Sequence, residues 1–569
     1  MTQSFCFPRG IRVSALCMAL LPMSGWAIES VDRPNLPELA RPDYLPSQPD
    51  NLFKLPPVSL PPAAIPQNSV GGQLLRRVVF RGNSVMGNED LERVVAPWFG
   101  KTVTAADLES LRIELSRAYI ERGYVNSGAL IGPEGLKDEI LTIDIVEGRL
   151  SSLQIAGLDG LDEQYLVAKL VPEPDAPLHL DSLRERYLLL LDDPLIKRMN
   201  ARLMPDARLG EAILGIEVEQ ARPWHARFQL NNHRPASTGE LALGIAGGYR
   251  NLTGRGDALE ASLQRPFENE GKLRGSIGWR VPLNYYGTQL SLEMDQGQSS
   301  VVEEPLRSIG VTSELKRQEL GISHRLHESL NHRLAIGLDY MTRHSRTWLG
   351  GVPFAFTPGE PSSGTRVKTW RFWQEYTGRS EQDVLALRST FTNASNNIEV
   401  LAPQLVTSRP DDHYRMWLGQ LQYARRLTEE GTQFIVRAST QVTSQHVLSM
   451  DGLAIGGVTT VRGYRENQLI RDRGHVLNLE LDIPILRIPA ADFSLNVAPF
   501  IDYGAGRNQT GTTDKLSSAG IALHSRWGQF ALDLVLARPL SYSRNVTLAH
   551  GTLQDKGVHF QLSYNLGGK

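Results

Sequence analysis

Two textures divide the chain. From about residue 74 to 222, apolar positions at helical spacing alternate with short strand-like runs. After Pro223-Trp224 helical spacing largely disappears, and short segments alternate apolar with polar residues to the C-terminus. In the first texture, Arg76 to Phe80 reads as a strand and Arg81-Gly82-Asn83-Ser84 as its turn. Asn88 caps a helix through Leu91, Val94 and Val95 toward Trp98 and Phe99. Thr104 stands three residues before Asp107, a capping-box spacing. Leu108, Leu111, Leu115, Ala118 and Tyr119 then form one apolar stripe, which Gly123 ends. Tyr124 to Ile131 and Leu141 to Ile145 supply two strands, and Glu147-Gly148-Arg149 closes the unit.

The order then recurs. Leu153 to Gly157 is a strand and turn, Glu163 to Leu170 a helix, and Asp181 caps a longer helix through Leu183, Tyr187, Leu190 and Leu191. Strands follow around Ala201 to Met204 and Ala212 to Val218. Two consecutive units of one pattern make a tandem repeat.

The remaining 346 residues show recurring alternation, as in Leu241 to Ile245, Leu259 to Leu263, Leu334 to Leu338, Phe434 to Ala438 and Phe530 to Leu534. Val558, Phe560, Leu562, Tyr564 and Leu566 end the chain in period two. Each segment can turn one face to lipid and the other to a lumen. Tyr285, Tyr286, Trp279, Trp348, Trp370, Trp373 and Trp417 are candidates for interfacial aromatic girdles. A soluble sandwich array would instead bury the outer faces against a second sheet.

Composition adds an address. Arg9 and Arg12 precede an apolar run, Val13 to Met23, and Ser24-Gly25-Trp26-Ala27 offers small residues for cleavage. That is the order of a secretory signal peptide, expected to be cut after Ala27. Both cysteines, Cys6 and Cys17, fall within it, so disulfides and Cys-held metals are excluded from the mature chain. Without the two arginines, 58 Lys+Arg stand against 62 Asp+Glu, a net charge of −4 that does not suggest nucleic acid. Ten prolines between Ile28 and Gln73 make that stretch a semi-extended linker.

One stretch carries candidate chemistry: Ile455-Gly456-Gly457-Val458-Thr459-Thr460-Val461-Arg462-Gly463-Tyr464. Adjacent glycines let the backbone bend, and Gly463 removes bulk beside the arginine. A guanidinium in a confined space needs a partner. A candidate comes forty residues on, in Phe500-Ile501-Asp502-Tyr503-Gly504. Val461, Arg462, Gly463 and Tyr464, with Phe500, Asp502 and Gly504, resemble the paired signature of the BamA-like superfamily. Within it, the chain resembles the TpsB transporters of two-partner secretion, the ShlB, FhaC and HecB type. Further echoes are Pro282 to Gly287 and Asn478-Leu479-Glu480-Leu481.

The resemblance implies an all-β transmembrane barrel of 16 antiparallel strands, preceded by two small α+β POTRA domains. About 22 residues per strand suffice for a crossing and its connection. The expected layout is a signal peptide at 1–27, a linker at 28–73, POTRA domains at 74–150 and 151–222, and the barrel at 223–569. The barrel would stand in the outer membrane of a Gram-negative bacterium, among its lipids and lipopolysaccharide, as a monomer. An unfolded TpsA exoprotein would be the partner, with no catalysis and no cofactor or metal. Arg462 would sit on a loop folded into the lumen, facing Asp502 on the wall. The second helix and adjacent strand of the first repeat, with Leu108, Leu111, Leu115, Tyr124 and Val125, are expected to contact substrate. Some relatives plug the barrel with an N-terminal helix, for which the prolines leave little room. The rival reading is an outer-membrane insertase, which would normally carry more repeats. His327-Glu328 with His332 mimics a zinc motif at the wrong spacing and reads as a turn.

Overall fold

In the first repeat the middle strand, Ile140–Val146, pairs in parallel with Arg77–Arg81 and antiparallel with Gly128–Leu130. Its alternation turns Leu141, Ile143 and Ile145 into a core shared with Leu91, Val95, Leu111, Leu115 and Tyr119. The helix Ala105–Glu121 begins at a reciprocal cap: the Asp107 carboxylate accepts from the Thr104 amide at 2.8 Å, and the Thr104 hydroxyl oxygen accepts from the Asp107 amide at 3.3 Å. The computed structural model describes residues 39, 41, 43–45 and 72–567, except 133–134, 172–174, 269–271, 305, 357–358, 362, 400–408 and 542–550. The expected signal peptide and nearly all of the linker lie outside the described residues.

The second repeat places Glu211–Gln220 between Arg149–Ala156, parallel, and Ile196–Pro205, antiparallel. Several expectations shift. The strand Arg149–Ala156 belongs to the second sheet and straddles the expected boundary at 150. The helix Leu180–Leu191 is capped by His179, whose ring nitrogen accepts from the Ser182 amide at 3.3 Å, rather than by Asp181. The expected strand from Tyr124 is shorter because Tyr124 to Asn126 serve the joint between repeats. There Asn126 Nδ2 donates to the Gly210 carbonyl at 2.9 Å, and the Leu180 amide donates to the Gly123 carbonyl at 2.9 Å.

Among the described residues, sixteen antiparallel strands close the barrel, from Trp224–Asn231 to Val558–Gly567. These two end strands seal it by pairing from His225 with Gly567 to Asn231 with Gln561. A two-residue strand, Val352–Pro353, extends one rim. Along one register row Phe228, Ile245 and Leu263 point outward and stay 39%, 44% and 48% exposed. No second sheet covers that face among the described residues, which fits lipid and not a soluble sandwich. Trp370, Phe372, Phe391 and Trp417 point the same way. Trp373 does not belong to a girdle: its Nε1 donates inward to Asp339 at 2.9 Å, and Arg388 lies over its ring.

The second repeat docks on one rim of the barrel. Tyr285 packs edge-on against Tyr165 at 5.7 Å, and its hydroxyl donates to Asp162 at 3.0 Å. Tyr285 is therefore a docking residue in the turn after Arg274–Pro282, not a membrane anchor. The Asp162 amide donates to the Gly254 carbonyl at 2.8 Å, and Glu185 accepts from the Leu330 amide at 3.0 Å. Arg379 reaches Asp192. At the same rim Tyr44 packs on Val384, Ala424 and Ile435, which face the lumen, and its hydroxyl donates to Gln433 at 3.1 Å. This part of the proline-rich segment thus touches the lumen mouth.

Candidate functional site

Between the strands Gln433–Val442 and Arg473–Ile488 the chain makes a long loop that turns into the lumen. A short hairpin, Leu453–Ile455 against Leu469–Arg471, forms its stem. The stem and tip bury Leu453, Ile455, Val461, Tyr464 and Leu469 against Val476 and Leu516 of the wall. Apolar side chains on one face of the loop therefore seat it, and the polar chemistry follows from that seating.

The neighbouring wall strands set up the polar pocket by their alternation. In the pairing of Arg473–Ile488 with Phe493–Arg507, Glu480 lies opposite Phe500, and Asn478 opposite Asp502. All four are buried, facing inward. Arg462 enters this square. Its Nε and one terminal nitrogen each donate to Asp502 at 2.8 Å, and its backbone amide donates at 3.0 Å. The other terminal nitrogen donates to Glu480. The guanidinium carbon lies 3.4 Å from the centre of the Phe500 ring. Arg437 stands 3.7 Å from the far oxygen of Glu480, so two cations face two carboxylates. Bidentate geometry and a stacked ring offset part of the desolvation of these charges.

The glycines explain how close the loop comes. A Cβ on Gly504 would lie 2.5 Å from Ile455 and 2.8 Å from Val461. Gly463 has φ +87°, and a Cβ there would lie 2.8 Å from that of Ala537. The Gly463 amide donates to His559 at 3.3 Å, and the Tyr464 hydroxyl reaches the Ser517 carbonyl at 2.9 Å. All seven motif residues, Val461 to Tyr464 with Phe500, Asp502 and Gly504, thus meet in one place.

Sequence reasoning missed the second hold on the loop. Asp451, in the loop's root, is fully enclosed and binds Arg343 and Tyr414 on two other wall strands, His332–Leu349 and His413–Arg426. Gln441 Nε2 donates to the carbonyls of Asp451 and Asp472 at 3.0 and 2.9 Å. At the tip, Arg465 pairs with Asp555 at 2.6 Å and Glu303 at 2.9 Å. An inward arginine at an alternating position was the only signal for Arg343, and lumen-facing arginines are too common in this chain for it to stand out. Glu480 was legible as part of a motif echo, without its role.

The expected substrate contact needs correction. Leu111 and Leu115 are 1% and 0% exposed in the first repeat's core, so neither can meet another chain. Leu108 is half-buried against that core. Tyr124 packs edge-on against His179 of the second repeat at 5.0 Å, and Val125 packs on the second core. These residues build the domain and its joint. The motif-like Glu328 pairs with Arg325 and Arg333, and His332 with the Tyr376 hydroxyl, as a turn does.

With the loop geometry in view, the relationships are plain. Residues 210–527 match the family described as haemolysin secretion/activation protein ShlB/FhaC/HecB. The chain belongs to this family. Residues 74–148 match its ShlB-type POTRA domain. The heme/hemopexin transporter protein HuxB of Haemophilus influenzae is 21% identical over 501 residues, covering 82% of this chain and 84% of its own. The outer membrane transporter CdiB of Escherichia coli O6:K15:H31 is 21% identical over 510 residues, covering 87% and 84%. The solved structure of CdiB from Escherichia coli shares the fold with a TM-score of 0.67 at 19% identity, covering 90% of this chain and 94% of that one. As in other members of the ShlB/FhaC/HecB family, the barrel stands in the outer membrane and the POTRA domains in the periplasm. The rim that docks the second repeat is accordingly periplasmic, and the opposite rim faces outward.

Proposed function

We propose that the barrel is the conduit of a two-partner secretion system and exports one large TpsA-type exoprotein. The observation that carries the reading is the lumen loop, held by Arg462 in a pocket of Asp502, Glu480 and Phe500. Seated there, the loop occupies the space that cargo would cross. Its hold is non-covalent, polar at Arg462 and apolar around Ile455 and Val461, so it can be released as a gate requires. Unfolded cargo would bind the POTRA pair first. A strand added to a sheet edge uses backbone hydrogen bonds and tolerates varied sequence. In the first repeat, Arg77–Arg81 pairs with one neighbour only among the described residues and so offers such an edge. Export needs no nucleotide on this reading, because folding of the cargo outside supplies the driving free energy. Deleting the gene and comparing proteins in the medium tests it: one large protein should vanish and return on complementation, and an unchanged medium counts against the proposal.

A further inference from the structure

The outer wall carries a groove that the transport reading does not use. Register places Leu338, Phe372, Phe391, Trp417 and Val442 side by side on the lipid face, and Arg473, next to the last paired residue Gly474, borders the same groove. Each strand of this region changes character toward the outward rim. Lys368 and then Arg366 lie two and four residues beyond Trp370 on the same face, and Arg415 lies two residues beyond Trp417. Arg366, Lys368 and Arg415 are exposed. Among the described residues none of these four cations forms an ion pair, and Arg473 Nε is enclosed without a hydrogen-bond partner. The groove therefore joins an aromatic floor at membrane depth to unneutralised charge at the outer headgroup level.

We propose that this groove binds the phosphorylated glycolipid of the outer leaflet, lipopolysaccharide, through its lipid A part. Acyl chains lie on Trp370, Phe372, Phe391 and Trp417, and a sugar phosphate accepts hydrogen bonds from Arg415, Lys368 and Arg473. The chemistry fits at both ends. Indole rings favour the boundary between acyl chains and headgroups, and guanidinium groups favour phosphate. Basic clusters at a membrane surface attract anionic headgroups by about 1 kcal/mol for each cation. Ordinary phospholipid offers one phosphate on a narrow headgroup, whereas lipid A offers two on a wide disaccharide, which suits cations spread over the three strands Thr365–Arg379, His413–Arg426 and Arg473–Ile488. The inference rests on the outer-membrane setting and not on the loop's role in transport.

Purified full-length protein, immobilised in detergent at about 0.15 M salt, tests the groove. It is titrated with bisphosphorylated lipid A, dephosphorylated lipid A and phosphatidylglycerol. Lipid A should bind about tenfold or more tightly than either comparison lipid. The triple variant Lys368→Gln/Arg415→Gln/Arg473→Gln should lose that preference while keeping the heat-modifiable migration of a folded barrel. Equal binding of phosphatidylglycerol, or a folded triple variant that binds lipid A like the wild type, overturns the proposal. Should the triple variant fail to fold, the wild-type protein still decides: equal binding of the two forms of lipid A overturns the proposal, and a clear preference for the phosphorylated form supports it. A protein that secretes normally yet shows no preference would sink this inference and leave the transport reading intact.

Discussion

Arg462 and Asp502 lie forty positions apart and share three hydrogen bonds, two from the guanidinium and one from the Arg462 backbone amide. The backbone bond matters as much as the charge pair. It makes Asp502 a cap for the loop's path as well as a counter-ion, so the arginine side chain and the loop backbone are held together or released together. Removing either partner strands buried charge, at about 3–5 kcal/mol. Arg462→Ala and Asp502→Ala should each lower secretion about tenfold or more in protein that still inserts, and the double variant should do little further harm. Secreted cargo in the medium, normalised to folded barrel, measures it.

Asp451, Arg343 and Tyr414 form a second hold at the loop's root, on wall strands away from the first. The two holds should be separable. Asp451→Asn should leave the tip seated on Asp502 but loosen the root, and channel recordings in planar bilayers should show more frequent opening than in wild type. Combining it with Asp502→Asn should open the pore further than either change alone.

Gly504 tests contact rather than charge. Val at this position would push into Ile455 and Val461, and overpacking of this kind costs about 1–3 kcal/mol. Gly504→Val should expose the loop to added protease in intact cells without altering the abundance of the barrel.

Tyr285 and Asp162 hold the second POTRA domain to the rim. Tyr285→Ala should widen the range of distances between spin labels on that domain and on the barrel. An unchanged distribution would show that the turn contacts elsewhere suffice.

Glu147 carries a pH dependence. Burial raises its carboxyl, but hydrogen bonds from the Ser84 hydroxyl, the Val85 and Ser84 amides and the Tyr119 hydroxyl outweigh this and hold it below the usual value of 4.5. A carboxyl lowered by folding stabilises the domain fully above that value and ceases to as pH falls through its folded pKa. The first POTRA domain should therefore become protease-sensitive below about pH 4.5. Glu147→Gln should be more sensitive at pH 7 and change less on acidification.

The sequence by itself determined the class of the molecule. Period-two alternation marks faces, and faces are all a barrel needs at each strand, so Leu241 to Ile245 and Leu259 to Leu263 were legible as two-faced strands, and the closed barrel then turned Ile245 and Leu263 to the outside. Helical spacing and the capping pair Thr104 and Asp107 marked the repeats for the same local reason. The pairing of Arg462 with Asp502 was legible because a buried cation requires an anion and the chain offered one in a matching motif. Closure of the barrel decided the rest. It brought Arg343, Tyr414 and Asp451 together across more than a hundred positions, where no local pattern marks a partner. It set Glu480 beside Phe500 through strand register, turned Trp373 inward and put Tyr285 at a domain contact. The apolar stripe of Leu108, Leu111 and Leu115 looked the same whether it met its own sheet or another chain, because spacing records that a face is apolar and only packing decides what covers it.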